Sequence, residues 1–195
     1  MSTVEAHGGY LCRFEDVDVT WLQRVACSAL EEDGQTTDDV GLQVTLLGGP
    51  GLVRFAWDAP FTYGRKGARW YLSHHALARR LSEHLKTALH VYVFDPDELE
   101  QVMAYGNGRR VGGELVRYVD FDFDCEDEAA FERVKDKWPI GHLARVLGVP
   151  REELLRFPRQ ATALIDLQRA YAPQPLWRLF PESLKGRSGQ RAIAS

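Results

Sequence analysis

The sequence has few cysteines, no long apolar run and no excess of positive charge. Only 3 of the 195 residues are cysteines, and no two of them are close in sequence. This spacing argues against a disulfide framework and against a structural zinc site. No apolar stretch approaches the roughly 18 residues of a membrane-spanning helix, and the first residues resemble no secretion signal. We therefore expect a cytoplasmic protein that makes no contact with a membrane.

The charge balance is mildly acidic, with a formal net charge of -4. This balance disfavours general coating of nucleic acid, which needs a basic surface. The length fits one domain, since about 100–200 residues per domain is usual. We expect a single domain over residues 1–182, followed by a flexible tail over residues 183–195 that is rich in Gly, Ser and Arg.

Several common catalytic motifs are also missing. The sequence contains no G-x-S-x-G elbow, no G-x-x-x-x-G-K-[ST] phosphate loop and no H-E-x-x-H zinc motif. The six histidines do not share one zinc-binding turn, so we predict no metal site and no cofactor. These gaps favour a binding protein over an enzyme. An enzyme whose site is assembled from scattered His and Asp residues is kept as an alternative.

Two glycine-rich turns predict β-hairpins. Residues 41–47 and 52–57 flank Gly-Gly-Pro-Gly, and residues 99–105 and 109–123 flank Gly106-Asn107-Gly108. A Gly-Gly pair inside the last of these strands indicates a bulge. Two further strands are expected, a short edge strand over residues 9–15 and a buried strand over residues 90–94.

Helical periodicity occurs both between these strands and after them. Residues 18–32 carry an apolar stripe, and residues 73–88 place Leu77, Leu81 and Leu85 at i, i+4 and i+8. From residue 126 onward the pattern turns helical, and we expect helices at 127–137, 139–147, 150–157 and 161–171. Because hairpins dominate, the predicted fold is α+β: a mostly antiparallel sheet packed by two helices, with a helical C-terminal third.

An acidic run follows the second hairpin. The alternation V-D-F-D-F-D predicts a strand with Val119, Phe121 and Phe123 against the core and aspartates on the opposite face. Carboxylates on one strand face lie about 6–7 Å apart and repel one another unless a cation is near. A solvated edge, a divalent metal site and a face for a basic partner all fit this pattern. We predict partner binding by the six acids of the run, which are Asp120, Asp122, Asp124, Glu126, Asp127 and Glu128.

Residues 140–157 resemble the helix-turn-helix of DNA-binding proteins. Two short helices would meet at Gly148, with apolar residues at the offsets of that motif: Leu143, Ala144, Leu147, Val149, Leu154 and Phe157. The would-be recognition helix, however, carries Glu152 and Glu153, which would face phosphates unfavourably. We therefore favour a packing motif and keep a DNA-binding regulator as an alternative function.

Residues 91–124 (VYVFDPDELEQVMAYGNGRRVGGELVRYVDFDFD) and 137–155 (KWPIGHLARVLGVPREELL) resemble small cytosolic proteins of myxobacteria and other social bacteria. Several such proteins resemble immunity factors that protect kin from exchanged polymorphic toxins. The resemblance lies in the order of a strand, an acidic turn, a strand, an Asn-Gly turn and a long strand. It implies a non-enzymatic protein that binds and blocks one cognate toxin. It assigns no site residues, because such proteins diverge at the binding face.

An acidic face suits this role on physical grounds. Many toxins are nucleases with basic clefts, and an acidic surface can occupy such a cleft and steer the encounter. The expected partner is therefore a toxin protein rather than a nucleic acid.

Overall fold

The fold is built on one seven-stranded sheet. The structure is a computed structural model, and it describes residues 6–13, 15–47, 51–58, 75–121, 127–155 and 163–181. The strands are β1 (His7–Arg13), β2 (Gly41–Leu46), β3 (Leu52–Asp58), β4 (Leu89–Asp95), β5 (Leu99–Gly106), β6 (Arg109–Arg117) and β7 (Ala163–Asp166). They form one sheet in the order β6-β5-β4-β1-β3-β2-β7. Every pairing is antiparallel, so the predicted α+β class is confirmed.

Helices cover both faces of this sheet. The described helices are α1 (Val19–Glu32), α2 (His75–His84), α3 (Glu128–Val134), α4 (Pro139–Leu147) and α5 (Arg151–Leu155). One core lies under α1 and α2, where Leu77, Leu81 and Leu85 are all buried as their spacing predicts. A second core joins α4 and α5 to the opposite face, with Tyr92 and Phe94 among its sheet residues. Burial of these two apolar layers is what holds the helices on the sheet.

The N-terminal strand was expected at an edge, and this expectation is wrong. β1 lies in the middle of the sheet, between β3 and β4. Its Gly9 allows the Arg54 side chain to lie across the strand, since a Cβ at Gly9 would stand 2.9 Å from Arg54 Cδ. Arg54 then donates to the Tyr92 hydroxyl at 3.2 Å and to the Leu154 carbonyl at 3.1 Å. Glycine has a low strand propensity, yet the packing at the centre of the sheet requires a residue without a side chain at this position.

The two predicted hairpins are confirmed. In the turn between β5 and β6, Asn107 and Gly108 both have positive φ, at 49° and 72°. These are the angles that an Asn-Gly hairpin turn requires. The predicted irregularity is also present, because Ala104 pairs with Gly112 whereas Tyr105 pairs with Arg110. One extra residue, Val111, therefore bulges from β6 beside the Gly-Gly pair.

Residues 161–171 were expected to form a helix, and the structure corrects this. The chain forms β7, which pairs with β2 and buries Ala163 and Ile165 on the core side. It then runs under α1, where the Gln23 side chain donates to the carbonyls of Asp166, Leu167 and Arg169. Pairing with the backbone of β2 and the bonds from Gln23 stabilise the extended conformation more than the local helical pattern stabilises a helix.

The other boundaries differ by a few residues from the expected ones. α2 ends at His84 rather than near residue 88, and α3 passes into a 3₁₀ turn at Lys135–Lys137. Residues 73 and 74, Phe157 and the predicted flexible tail fall outside the described residues. Within the described ranges, no helix has the length and apolar character needed to cross a membrane.

Candidate functional site

A buried ion pair links the C-terminal helices to the sheet. Glu100 of β5 and Arg151 of α5 are 0% and 6% exposed, and their Oε1 and Nη2 atoms are 3.1 Å apart. The second carboxylate oxygen accepts the Ile140 amide at the start of α4, at 2.9 Å. Burial raises the pKa of Glu100, and the Arg151 guanidinium and this amide oppose that rise. Removing either partner would leave the other as a buried charge without compensation.

The same ion pair involves the region that resembles a helix-turn-helix, because Arg151 is the first residue of its second helix. Gly148 ends α4 with φ 72°, and Leu143, Ala144, Leu147, Val149 and Leu154 are buried, as expected of this packing motif. Arg151 points into the protein, where its guanidinium lies 5.0 Å from the Phe131 ring centre and 5.7 Å from that of Phe94. The first residue of α5 therefore serves packing and is not presented to phosphates.

The acidic run does not continue the strand as predicted. β6 ends at Arg117, and Tyr118–Asp120 form a 3₁₀ turn. Tyr118 is the buried residue, whereas Val119, which was expected in the core, is 81% exposed. The Tyr118 hydroxyl donates to Glu100 at 3.4 Å, and its ring stacks on Trp138 at 5.2 Å. This aromatic anchor turns the chain one residue away from the alternation that the sequence suggests.

Both ends of the acidic run are fixed to the helical layer. At one end the Phe121 ring lies 5.3 Å from Trp138. At the other end the Asp127 side chain caps α3 by accepting the Ala130 amide at 2.9 Å. Asp127 thus has a structural task of its own, in addition to the partner binding predicted for it.

The remaining acids of the run divide into two groups. Asp120 and Glu128 are exposed and present their carboxylates to solvent. Asp122, Asp124, Glu126 and the apolar Phe123 lie outside the described residues, so the predicted spacing of the three aspartates stays a prediction.

The fold adds acids that sequence reasoning missed. The Tyr118 amide donates to the Glu98 carbonyl at 2.9 Å, which places the turn between β4 and β5 beside the acidic run. We give the name acidic corner to the five described acids of these two segments that are not buried: Asp97, Glu98, Asp120, Asp127 and Glu128. Residues 95–98 contain three acids and residues 118–128 contain six, with no Lys, Arg or His in either segment. The sequence signal that could have found these acids is the Asp-Pro-Asp-Glu turn between β4 and β5. The pairing of β5 with β6 places this turn at the end of the sheet where the acidic run begins.

Exposed apolar side chains occur along β6 and in the turn that follows it. Val111 and Leu115 on β6 are 70% and 46% exposed, and Val119 and Phe121 are 81% and 41% exposed. Within the described ranges three other large apolar residues are exposed, and they are scattered: Val146 at 72%, Leu164 at 48% and Trp177 at 36%. Val119 and Phe121 flank Asp120 of the acidic corner, whereas Val111 and Leu115 lie further back on β6. Exposed apolar side chains beside charged ones are typical of protein interaction sites.

This surface presents carboxylates and an imidazole to solvent. Across the part of the chain that the structure describes, no group of three or more His, Cys, Asp or Glu side chains is placed to hold a metal ion. The imidazole of His142 on α4 and the carboxylate of Glu114 on β6 form an exposed pair, with Nδ1 and Oε2 3.3 Å apart. An exposed pair of this kind contributes little to stability and remains open to a partner.

Comparisons with known proteins identify no relative. No family model matches the sequence, and no curated protein and no solved structure is significantly similar to it. The acidic corner, together with the exposed apolar side chains of β6, is therefore the candidate site on its own physical merits.

Proposed function

We propose that the protein is a non-enzymatic, cytoplasmic binding protein of the immunity type, which neutralises one cognate bacterial toxin. The acidic corner would enter the basic cleft of that toxin. The apolar side chains beside it would supply the dry contact that makes the complex long-lived.

One observation carries this proposal: two exposed apolar side chains, Val119 and Phe121, lie directly beside exposed carboxylates of the acidic corner. Exposed carboxylates alone are usually solvated, and scattered apolar residues are common on protein surfaces. Together they match the composition of a protein interface, in which apolar anchors give affinity and charge gives orientation and speed. The anchors here are Val119 and Phe121, which flank Asp120 in sequence.

The buried junction below this surface supports the same function. Tyr118 and Asp127 hold the two ends of the acidic run against the helical layer. A segment whose two ends are fixed before binding loses less conformational entropy when the partner arrives. An inhibitor that must act on a toxin before damage occurs benefits from such preorganisation.

Rescue of growth tests the proposal. The product of the gene adjacent to the one encoding this protein is expressed in a bacterial host with and without this protein. We expect the neighbour to be toxic alone, to be harmless with its partner, and to co-elute with it. A neighbour that is harmless alone, or whose toxicity is unaffected by this protein, contradicts the proposal.

A charge-neutralising variant tests the surface. Replacing Asp120, Asp122 and Asp124 with Asn should slow association and reduce its salt dependence, because charges at an interface rim act mainly on the on-rate. The matched control makes the same change in net charge at Glu31, Asp39 and Asp58, as Gln, Asn and Asn; these residues are exposed and lie outside β5, β6 and the acidic corner. Equal slowing in both variants would show that overall charge, rather than the acidic run, drives association.

A further inference from the structure

We infer that Arg54 is an anion site, whose guanidinium binds a small carboxylate or phosphate between the sheet and α5. This inference goes beyond the proposed function and does not depend on it, because Arg54 lies outside the acidic corner. The binding atoms are the guanidinium nitrogens that contact no described group.

Arg54 is a buried positive charge. Its side chain extends from β3 and is 2% exposed. An arginine stays protonated in proteins, so the cost of burying its charge is not relieved by loss of the proton. Buried charges are normally paired with an opposite charge, because an isolated one is costly to remove from water. We therefore expect a negative charge next to the Arg54 guanidinium.

The described part of the protein does not supply this negative charge. Among its residues, no Asp or Glu forms a salt bridge with Arg54. The next acid on the same face of β3, Asp58, is exposed and four residues away, which is about 13 Å along a strand. The stretches of sequence that follow β3 and α5, residues 59–74 and 156–162, contain five Arg or Lys and no Asp or Glu. This lack points to an anion from outside the chain.

The oxygen atoms that do contact Arg54 are neutral. Its Nη1 donates to the Tyr92 hydroxyl at 3.2 Å and to the Leu154 carbonyl at 3.1 Å. Burial raises the pKa of the Tyr92 phenol, and Arg54 only opposes this rise, so the phenol keeps its proton at neutral pH. The two bonds satisfy donors of the guanidinium, and neither neutralises its charge.

Arg151, in the same layer, shows what a compensated guanidinium looks like in this protein. It is also buried and also leaves its Nε without a bond to a described group, yet its Nη2 lies 3.1 Å from the Glu100 carboxylate. The other buried acid, Asp95, alternates to the opposite face of β4 from Tyr92. Among the described residues of this layer, two buried guanidiniums therefore face one buried carboxylate, and the charge of Arg54 stays unbalanced.

The free side of the Arg54 guanidinium fits an anion with two oxygens. Nη1 makes both described bonds, whereas neither Nε nor Nη2 donates to a described group. Nε and Nη2 form a fork that holds a carboxylate or phosphate through two parallel hydrogen bonds. The fork is also held in place, because the arginine stem lies across Gly9 and Nη1 is fixed by Tyr92 and Leu154. A fork fixed before binding loses little conformational entropy when the anion arrives.

Titration of the full chain with inorganic phosphate and, separately, with acetate tests this inference, at an ionic strength held constant with sodium chloride. We expect the melting temperature to rise with at least one anion, by about 5 °C or more at one hundred times the Kd. The Nε–H resonance of Arg54, assigned by its absence in Arg54→Lys, should shift during the same titration. A response to acetate alone assigns a carboxylate ligand, and a response to phosphate alone assigns a phosphate ligand. No response to either anion would overturn the inference.

Two methionine variants provide a matched comparison. Arg54→Met keeps an unbranched apolar stem and loses the guanidinium, whereas Arg145→Met removes one exposed positive charge from α4. We expect Arg54→Met to lose the response to the anion and Arg145→Met to keep it. Equal responses of the two variants would show that the anions stabilise the fold through general salt effects, and would overturn the site.

Arg54→Lys keeps the inference testable if Arg54→Met does not fold. The lysine retains the positive charge but has no fork, so the anion should bind about tenfold more weakly or worse than to the unchanged protein. An unchanged affinity in Arg54→Lys would overturn binding through the two nitrogens Nε and Nη2. Circular dichroism of each variant shows that a lost response does not come from a lost fold.

Discussion

β4 and β6 belong to the same sheet and are separated by one strand, yet their environments are opposite. In β4 nearly every residue is buried, because α2 packs on one face and α4 on the other. In β6 eight of the nine residues are exposed. The hydrogen-bond ladder to β5 holds β6 in place, whereas packing on both faces holds β4.

This difference assigns stability to β4, and under the proposed function it leaves partner binding to β6 and the acidic corner. β4 and its neighbours bear the buried groups whose loss would unfold the protein. β6 and the acidic corner can vary in sequence with little effect on the core. Such a division suits a protein whose binding surface must adapt to one partner while the fold is conserved, and it leads to predictions that act on the two regions differently.

The largest effect is expected at the buried ion pair under the acidic corner. Glu100→Ala leaves the Arg151 guanidinium buried without its carboxylate, which should lower the free energy of unfolding by about 3–5 kcal/mol. Urea unfolding followed by circular dichroism measures this. Glu114→Gln on β6 is the control, because its pair with His142 is exposed, and we expect a change of less than about 0.5 kcal/mol. Similar losses in both variants would contradict the separation of the two regions.

A smaller loss is expected from overpacking at the centre of the sheet. In Gly9→Ala the new Cβ would stand 2.9 Å from Arg54 Cδ and 3.0 Å from Tyr92 Cε1, so these side chains must shift. We expect a loss of about 1–3 kcal/mol. Gly112→Ala on β6 is the counterpart, since nothing lies within 4 Å of its Cβ, and it should be neutral or slightly stabilising. Thermal unfolding of the two variants gives the comparison, and an unaffected Gly9→Ala protein would refute the packing argument.

Glu100 should also make stability depend on pH. Burial raises its pKa above the ordinary 4.5, so the folded protein holds this proton more tightly than the unfolded chain does. Its contribution is therefore full below about pH 4.5 and declines as the pH rises through the raised value. The free energy of unfolding of the unchanged protein, minus that of Glu100→Gln, should fall from about pH 4 to pH 7. A constant difference across that range would show that Arg151 fully offsets the burial.

The sequence predicts those elements best that depend on local signals. The Asn-Gly hairpin, the Leu77, Leu81 and Leu85 stripe and the Gly148 turn follow from backbone preference and periodicity, and all are confirmed. β1 and β7 were misplaced or mistyped because strand partners are distant in sequence. Residues 161–171 contain no local signal that they pair with β2, which is more than 100 residues away in sequence.

The candidate site divides in the same way. Clustered acids are visible in a one-dimensional sequence, and so is the hairpin that precedes them. Glu100, Tyr118 and Arg151 meet only after 51 residues of chain have folded back, and no spacing rule links them. The anchored turn at Tyr118 then overrides the apolar alternation, because burying an aromatic ring against Trp138 is worth more than continuing an edge strand.

The smallest effect distinguishes the acids of the run from one another. Asp127→Ala removes the cap of α3 and should cost about 1 kcal/mol, whereas Asp127→Asn keeps a capping oxygen and should cost only a few tenths. Glu128→Gln changes the next exposed acid and should leave the melting temperature nearly unchanged. In partner binding the order should differ, because Asp127→Asn and Glu128→Gln each remove one negative charge from the acidic corner and should slow association alike. Melting curves and stopped-flow association together would then separate the capping role of Asp127 from its charge, and equal stability of the Ala and Asn variants would argue that the cap does not hold the acidic run in place.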